Sequence, residues 1–184
     1  MNLNSTRLEA RLLMGLLILG LVAVTLLGCT DASARPVEEQ PGAHVVATTR
    51  VAAGEYLTLV GGCNDCHTPN WNESFGNVPA DERLIGMAVG FQGPWGTSYP
   101  ANLRHSVQGR TSAEWIEMIR GRRGMPPMPW MNLHRMADRD LAAIYAYLRE
   151  LGPKGSPAPA YVPPGQEPTT PYIRFEPIMP KAGI

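Results

Sequence analysis

The feature that most constrains the fold of this chain is the short run Cys63-Asn64-Asp65-Cys66-His67. Its two thiols lie three positions apart, which brings them close together on one helical turn, and an imidazole follows directly. Three kinds of site use such a pair of cysteines: a disulfide or thioredoxin-like redox pair, half of a zinc site, and a covalent haem attachment site. The rest of the sequence has to distinguish among them.

The first two kinds of site lack the residues that they need. A zinc site takes four ligands, but no second cysteine pair is present and the other histidines are scattered without ligand spacing. A thioredoxin-like motif lies beside a strand in a βαβ pattern, and no such pattern precedes Cys63. The motif therefore predicts one c-type haem, bound covalently through Cys63 and Cys66, with His67 as a ligand of its iron.

The third cysteine, Cys29, ends an apolar segment. Arg7 and Arg11 precede an uncharged run over residues 12–28, which is the arrangement of a secretory signal. The sequence Leu26-Leu27-Gly28-Cys29 resembles the lipobox of bacterial lipoproteins, in which the cysteine is lipidated and becomes the mature N-terminus. We therefore expect a lipoprotein-type signal peptide over residues 1–28, with an uncleaved membrane helix or simple secretion as the alternatives.

A lipid on Cys29 would anchor the chain at the periplasmic face of a bacterial membrane. Because Thr30 rather than aspartate follows Cys29, the resemblance to lipoproteins favours the outer membrane. Residues 29–50 show neither helical nor alternating apolar periodicity, so we interpret them as a tether. The folded domain is then expected to begin near Val51.

Charge and composition limit the function of the remaining chain. The formal net charge is +0 over 184 residues, so the basic surface that nucleic-acid binding requires is absent. With 19 glycines, 18 prolines and few aromatic residues, the chain is poorly suited to building a large hydrophobic core of its own. A haem could serve as the core on which its loops pack.

A low-spin electron carrier needs a second axial ligand, and a thioether raises the reduction potential relative to a second imidazole. Met128 is the best candidate among nine methionines, because in Gly124-Met125-Pro126-Pro127-Met128-Pro129-Trp130 three prolines can hold a rigid extended loop. Trp130 is interpreted as packing on the haem or on this loop. The alternatives for the sixth position are Met125, a histidine such as His105 or His134, and an open site.

Three helices are predicted, over about residues 51–62, 111–121 and 138–151. The first contains Gly54, which a close helix contact would explain, and the second opens with the capping box Thr111-Ser112-Ala113-Glu114. The last presents an apolar stripe that is expected to cross the first helix. The glycine-rich stretch 68–110 is expected to form loops with at most short turns, and the proline-rich residues 153–184 an extended strap or a disordered tail.

Three basic side chains fall at the end of the second helix, and they are Arg120, Arg122 and Arg123. The helix dipole favours positive charge at this end, which is one explanation for them. A docking patch for an acidic redox partner is the alternative.

Residues 51–151 resemble class I cytochromes c, and among them the small monohaem domains found in cytochrome subunits of bacterial membrane-bound alcohol and aldehyde dehydrogenases. The resemblance rests on the following residues: Cys63, Cys66, His67-Thr68-Pro69, Trp95-Gly96, Asn102-Leu103, Trp115, Pro126 to Trp130 and Asp138 to Leu148. Such subunits commonly contain three haem motifs, whereas this chain has one.

The resemblance implies an all-α class I cytochrome c fold, in which the first and last helices cross and loops wrap around one c-type haem. His67 and Met128 would be the axial ligands, and Asn102 a candidate hydrogen-bonding partner near the haem. Two departures stand out: Arg104 occupies a position that is often threonine, and Ala137 one that is often threonine or serine, which removes a helix cap.

The chain is thus expected to comprise a signal peptide (1–28), a tether (29–50), a cytochrome domain (51–152) and a proline-rich tail (153–184). The leading hypothesis is one-electron transfer, without catalysis of its own, between respiratory or dehydrogenase partners in the periplasm. One alternative is a haem sensor or enzyme with an open or displaceable sixth ligand. Another is a subunit that docks on its partner through the tail while its haem connects the complex electrically.

Overall fold

A computed structural model of the protein describes residues 43–180. The predicted signal peptide, the lipidation site Cys29 and most of the predicted tether lie outside the described residues. Within this part of the chain, none of the helices has the length and apolar character needed to cross a membrane. The described residues belong to one compact unit.

Six helices and three short strands follow one another along the described chain. In order they are α1 (Arg50–Val60), α2 (Cys63–His67), a 3-10 turn at Ala80–Glu82, β1 (Gly90–Gly93), β2 (Gly96–Ser98), α3 (Leu103–Ser106), α4 (Ser112–Gly121), α5 (Trp130–Arg135), α6 (Asp138–Leu151) and β3 (Tyr172–Arg174).

The first long helix, α1, packs directly on the last, α6. A Cβ atom at Gly54 would collide with the carbonyl oxygen of Ala143 and come within 2.8 Å of the Cβ atom of Tyr147. Only glycine lets the two backbones approach this closely, which compensates for its cost of about 1 kcal/mol within a helix. The close helix contact predicted at Gly54 is confirmed.

The helix α4 completes the hydrophobic core between these two helices. It begins with the predicted capping box: the Thr111 hydroxyl accepts a hydrogen bond from the Glu114 N–H, and the Glu114 carboxylate accepts one from the Thr111 N–H at 2.7 Å. Its apolar face buries Trp115 and Ile119. The core cluster joins these two side chains to others from α1, α6 and the intervening loops: Ala53, Leu57, Leu84, Val107, Leu141, Ala143, Ile144, Tyr147 and Leu148.

The expectation of an all-α fold needs correction, because the described chain contains a small three-stranded sheet with the strand order β2-β1-β3. Strands β1 and β2 form an antiparallel hairpin, and β3 pairs with β1 in parallel, with Phe91 opposite Ile173. The stretch 68–110 is therefore not only loops and turns. Local sequence could not reveal the sheet, because β1 finds its parallel partner about 80 residues further along the chain.

The proline-rich C-terminal residues follow an extended path over the domain, as one of the two sequence-based interpretations predicted. We call residues 153–176 the strap. Val162 forms a β-bridge with Thr97, the Tyr161 hydroxyl donates to the Trp95 carbonyl at 2.6 Å, and the Phe175 ring lies against Phe91 with 5.8 Å between centroids. The strap is thus built onto the β1–β2 hairpin.

The unexpected Arg104 anchors the end of α6. Its side chain is 3% exposed, and its guanidinium donates hydrogen bonds to the carbonyls of Asp81, Leu151 and Gly152. Carbonyls at a helix C-terminus have no partners within the helix, so a buried guanidinium is well suited to satisfy them. The strap begins directly after this anchor.

Candidate functional site

The short helix α2 presents both cysteines and His67 on a single turn. It starts after Gly62, whose φ of 68° lies in the left-handed region that favours glycine. Cys63 and Cys66 are both free thiols, so the structure contains no disulfide between them. The arrangement presents two thiols and one imidazole from the same turn.

A chain of buried hydrogen bonds holds this turn in place. The Asn64 amide donates to the Thr58 carbonyl at 3.2 Å, and the Thr68 hydroxyl donates to the Asn64 side-chain oxygen at 2.8 Å. The Thr68 oxygen in turn accepts from the Leu84 N–H at 2.8 Å. Because buried polar groups are costly to leave unpaired, these hydrogen bonds fix α2 between α1 and the segment around Leu84.

His67 lies at the centre of the site and is 7% exposed. Its Nδ1 atom is 2.7 Å from the Ala101 carbonyl oxygen. A carbonyl can only accept, so Nδ1 carries the proton and Nε2 keeps its lone pair in the neutral ring. Burial lowers the pKa of His67, and the weaker opposing effect is the hydrogen bond to Ala101. The ring is therefore held neutral, in the tautomer that leaves Nε2 free to bind a metal.

Two backbone segments run side by side next to His67. The Gly86 N–H donates to the His67 carbonyl at 2.8 Å, and the Leu103 N–H donates to the Leu84 carbonyl at 3.0 Å. Gly86 has a φ of +80°, and a Cβ atom there would lie 2.7 Å from the Asn102 nitrogen. Glycine at this position allows the close approach that brings the Ala101 carbonyl to the imidazole.

The environment of the two thiols argues against a reactive cysteine pair. Burial raises the pKa of Cys63 to about 11, and burial together with the nearby Asp65 carboxylate raises the pKa of Cys66. Nucleophilic and metal-binding cysteines need a lowered pKa, since the thiolate is the reactive form. Across residues 43–180, moreover, no three His, Cys, Asp or Glu side chains are grouped so that they could hold a metal ion.

The methionine-containing loop connects α4 to α5. Met128 is half-buried there, whereas Met125 is 44% exposed. His134, one of the alternative ligands, instead lies within hydrogen-bond distance of the Ile119 carbonyl, with its Nε2 atom 3.0 Å from that oxygen, and Arg122 provides a second carbonyl at 3.1 Å. The Nε2 atom of His134 is therefore already engaged by backbone carbonyls, which makes it a poorer candidate for the sixth iron ligand.

Trp130 begins α5 and is partly buried. Gly124 lies against its indole ring, since a Cβ atom at Gly124 would collide with Nε1, and the Arg122 guanidinium stands 5.2 Å from the ring centroid. Nevertheless the indole Nε1 is buried without a hydrogen-bond partner within the described chain. A buried donor of this kind calls for an acceptor.

Asn102 is buried, and the acceptor for the His67 ring is the carbonyl of the neighbouring Ala101. The Asn102 side-chain oxygen caps α3 by accepting from the His105 N–H at 3.2 Å. Its amide donates to the carbonyls of Lys154 and Ser156 at 2.7 and 3.2 Å. The role of Asn102 toward a haem remains a prediction, and its observed contacts connect the loop to the strap.

One group of the site and one buried hydroxyl outside it escaped the sequence analysis. Ala101 contributes a backbone carbonyl, for which no side-chain signal exists. The Thr97 hydroxyl is buried without a hydrogen-bond partner among the described residues, and it belongs to β2, which contacts the methionine-containing loop where the Ser98 hydroxyl donates to the Pro126 carbonyl at 2.6 Å. The Thr97 position lies close to Trp95-Gly96, which the sequence analysis did single out.

Comparison with known proteins finds a similarity to the fructose dehydrogenase cytochrome subunit of Gluconobacter japonicus. The two sequences are 26% identical over 151 residues, which cover 76% of this chain and 29% of that protein. The chain therefore spans less than a third of the relative that it matches. No family model matches the sequence, and no solved structure matches it.

Proposed function

We propose that this protein is a c-type cytochrome that transfers single electrons and carries one haem on Cys63 and Cys66. The similarity to a dehydrogenase cytochrome subunit supports electron transfer by a cytochrome. Its partners would be redox proteins, one that donates electrons and one that accepts them. Because the chain covers 29% of the relative, that protein's activity and assembly are not transferred to this one.

The observation that carries the proposal is the state of His67. Its ring is buried, its Nδ1 proton is engaged by the Ala101 carbonyl at 2.7 Å, and its Nε2 atom is free. Metal-binding histidines characteristically donate their other ring N–H to such an acceptor, which fixes the ring and raises its basicity. The two thiols stand on the same turn at the spacing of a haem attachment site, and their raised pKa values disfavour redox exchange.

The remaining residues also fit a haem. Its porphyrin would offer two carboxylates as acceptors. Three side-chain polar atoms of the described chain are buried without a hydrogen-bond partner, and two of them, the Trp130 indole N–H and the Thr97 hydroxyl, lie outside the core cluster that holds the third, the Tyr147 hydroxyl. When bound, the haem iron supplies a one-electron redox couple. The protein's part is to hold His67 in one tautomer, to exclude water from the ring and to supply the second ligand.

We propose Met128 as that second ligand. It is half-buried, whereas the competing Met125 is 44% exposed, and its loop is tied to β2 by the hydrogen bond between Ser98 and Pro126. A weak thioether ligand benefits from such support, because an ordered loop loses little conformational entropy on binding. With both axial positions filled, the iron would transfer electrons without binding a substrate.

The test is to produce residues 30–184 behind a plain signal peptide in a host that matures c-type haem. We expect a covalently attached haem whose ferrous spectrum is low-spin and does not change with carbon monoxide. Attachment with ready carbon monoxide binding would instead indicate a sensor or enzyme with an open sixth position. Absence of covalent haem, with the Cys63 and Cys66 thiols still free to alkylating reagents, would overturn the proposal.

We further propose that the protein is exported and held at the periplasmic face of a bacterial membrane by a lipid on Cys29. Mass spectrometry of the mature N-terminus of the full chain would test this, with Cys29→Ser as the matched control. A diacylated Cys29 at the N-terminus is expected, and Cys29→Ser should abolish both the lipid and the cleavage before residue 29. An intact residue 1–28 segment would point to an uncleaved helix instead.

A further inference from the structure

The loop that carries the Ala101 carbonyl is fastened to the strap on both sides. On the C-terminal side, the Asn102 amide donates to the Lys154 and Ser156 carbonyls at 2.7 and 3.2 Å. Gly155 adopts a φ of +75°, and a Cβ atom there would lie 3.4 Å from the Asn102 amide nitrogen. The strap thus turns around the Asn102 side chain.

On the N-terminal side of Ala101, two further links join the loop to the strap. The hydroxyl oxygens of Tyr99 and Thr170 are 2.7 Å apart. Thr97 and Val162 exchange two backbone hydrogen bonds, of 2.8 and 3.0 Å. A buried backbone pair and a side-chain pair therefore fix the loop before it reaches Ala101.

Ala101 itself is exposed, so the packing of its own methyl group cannot position its carbonyl. The position of that carbonyl follows from its fixed neighbours, because the peptide unit is planar and Asn102 directly follows it. The strap thus fixes Asn102, and Asn102 in turn fixes the preceding carbonyl of Ala101, which accepts from His67 Nδ1.

We propose that the strap is a clamp for the iron ligand: it holds the Ala101 carbonyl on His67 and thereby sets the reduction potential of the haem, with Asn102 as the positioning residue. This inference rests on the proposed function. A hydrogen bond from the second ring nitrogen raises the basicity of a ligating imidazole, and a more basic ligand favours ferric over ferrous iron. Loosening the clamp is therefore expected to raise the potential.

Two neutral substitutions loosen the clamp from opposite sides in the full-chain holoprotein. Asn102→Ser keeps a hydroxyl that can cap α3, but it loses the amide that reaches Lys154 and Ser156. Tyr99→Phe removes the hydroxyl that pairs with Thr170. Because neither change alters the charge near the haem, a shift in potential reports on the ligand and not on a new electrostatic field.

Two readouts test the effect on the ligand. At a fixed applied potential, the ferrous-to-ferric ratio should increase severalfold in Asn102→Ser and less in Tyr99→Phe, because Asn102 is adjacent to Ala101. In proton NMR of the ferrous protein, exchange of the His67 Nδ1 proton with water should accelerate in the same order. Thr170→Val should shift both readouts as much as Tyr99→Phe does. The double variant Tyr99→Phe/Thr170→Val should shift them no further than either single variant, because the two residues share one hydrogen bond.

The matched controls destabilise the protein or alter the strap without touching this loop. Thr111→Ala removes the N-cap of α4, and Tyr172→Phe removes a hydrogen bond between Tyr172 and Glu167 that lies within the strap. Both should leave the potential and the Nδ1 proton exchange unchanged.

Each outcome decides the question. The clamp is supported if the ferrous-to-ferric ratio and the Nδ1 proton exchange rate both rise in the clamp variants and in no control. If Asn102→Ser does not fold, the variants of Tyr99 and Thr170 provide the same test. Unchanged readouts in a protein with covalent haem and His/Met ligation would overturn the clamp while leaving the proposed function intact. Equal shifts in the controls would overturn it as well, and failure of haem attachment would overturn both proposals.

Discussion

The chemistry of the candidate site depends on which of a few atoms carry a proton and which have a hydrogen-bond partner. The Ala101 carbonyl determines which ring nitrogen of His67 carries the proton. Burial keeps the Cys63 thiol protonated, with a pKa raised to about 11. The Trp130 indole N–H is buried without an acceptor in the described chain. The His67 tautomer suits a group that brings its own metal, and the unpaired Trp130 N–H suits a group that brings its own acceptor.

At this scale, the sixth ligand is tested by removing one thioether at a time. Met128→Ala should leave haem attachment intact but make the ferrous protein reactive with carbon monoxide, because an open coordination position then replaces a sulfur ligand. The spectrum with and without the gas measures this. Met125→Ala is the matched control, and it should remain unreactive. Should the two variants exchange behaviours, Met125 would be the ligand.

The helices show how the sequence meets the demands of close packing and capping. Gly54 lets α1 and α6 approach at backbone distance, and the capping box closes the N-terminus of α4. The N-terminus of α6 is the exception: Ala137 has the extended conformation of an N-cap, with φ −60° and ψ 146°, but provides no side-chain hydrogen bond. One helix contact is therefore optimised and one helix end is not.

Gly54→Ala is expected to destabilise the fold. The added methyl group must displace the Ala143 backbone, and such overpacking typically costs about 1–3 kcal/mol, which exceeds the gain in helix propensity. The free energy of unfolding, measured by denaturant titration, tests this. Gly121→Ala provides the matched control, because a Cβ atom there meets nothing within 4 Å, and it should be neutral or stabilising.

Ala137→Ser should stabilise the protein by about 0.5–1 kcal/mol, because a serine hydroxyl can accept from a free N–H in the first turn of α6. The midpoint of thermal or denaturant unfolding measures the gain. Ala146→Ser places the same side chain in the interior of α6, where no cap is possible and helix propensity falls slightly. If both variants had the same stability, the Ala137 position would not act as an N-cap.

On the scale of the whole molecule, the main hydrophobic cluster of the described chain is built chiefly by three helices. It joins α1, α4 and α6 with a few loop residues. The β1–β2 hairpin, the strap and the methionine-containing loop are instead linked mainly by hydrogen bonds, together with the aromatic contacts of Phe175. Under the proposed function, a haem would add an apolar surface for these segments to pack on.

Removal of the haem should therefore affect global stability. In Cys63→Ala/Cys66→Ala, covalent attachment is impossible, and we expect the free energy of unfolding to fall, because a group that binds only the folded state stabilises it. Denaturant unfolding of proteins expressed in the same host measures the difference. Cys29→Ser keeps both haem cysteines and should retain the stability of the parent. Equal stability of all three would mean that the domain needs no haem core.

Much of the site could be predicted from sequence, because the interactions concerned are local. Two thiols and an imidazole within five residues, the capping box of four residues, and the apolar stripe of α6 depend on neighbours along the chain, whose spacing determines their geometry. The tight helix contact at Gly54 followed from the cost of glycine within a helix. The roles toward a haem stay predictions for all of the site residues: Cys63, Cys66, His67, Met128, Asn102 and Trp130.

The tertiary structure decided what depends on distant pairing. The acceptor for His67 is a backbone carbonyl 34 residues away, and every residue has such a carbonyl, so no sequence signal could identify it. The sheet forms because β3 pairs with β1, although most of the domain's sequence separates the two strands. Beside this pairing, the Arg174 side chain donates to Gln92, 82 positions earlier. Local sequence therefore determined which chemical groups are present, and long-range backbone pairing determined which of them meet.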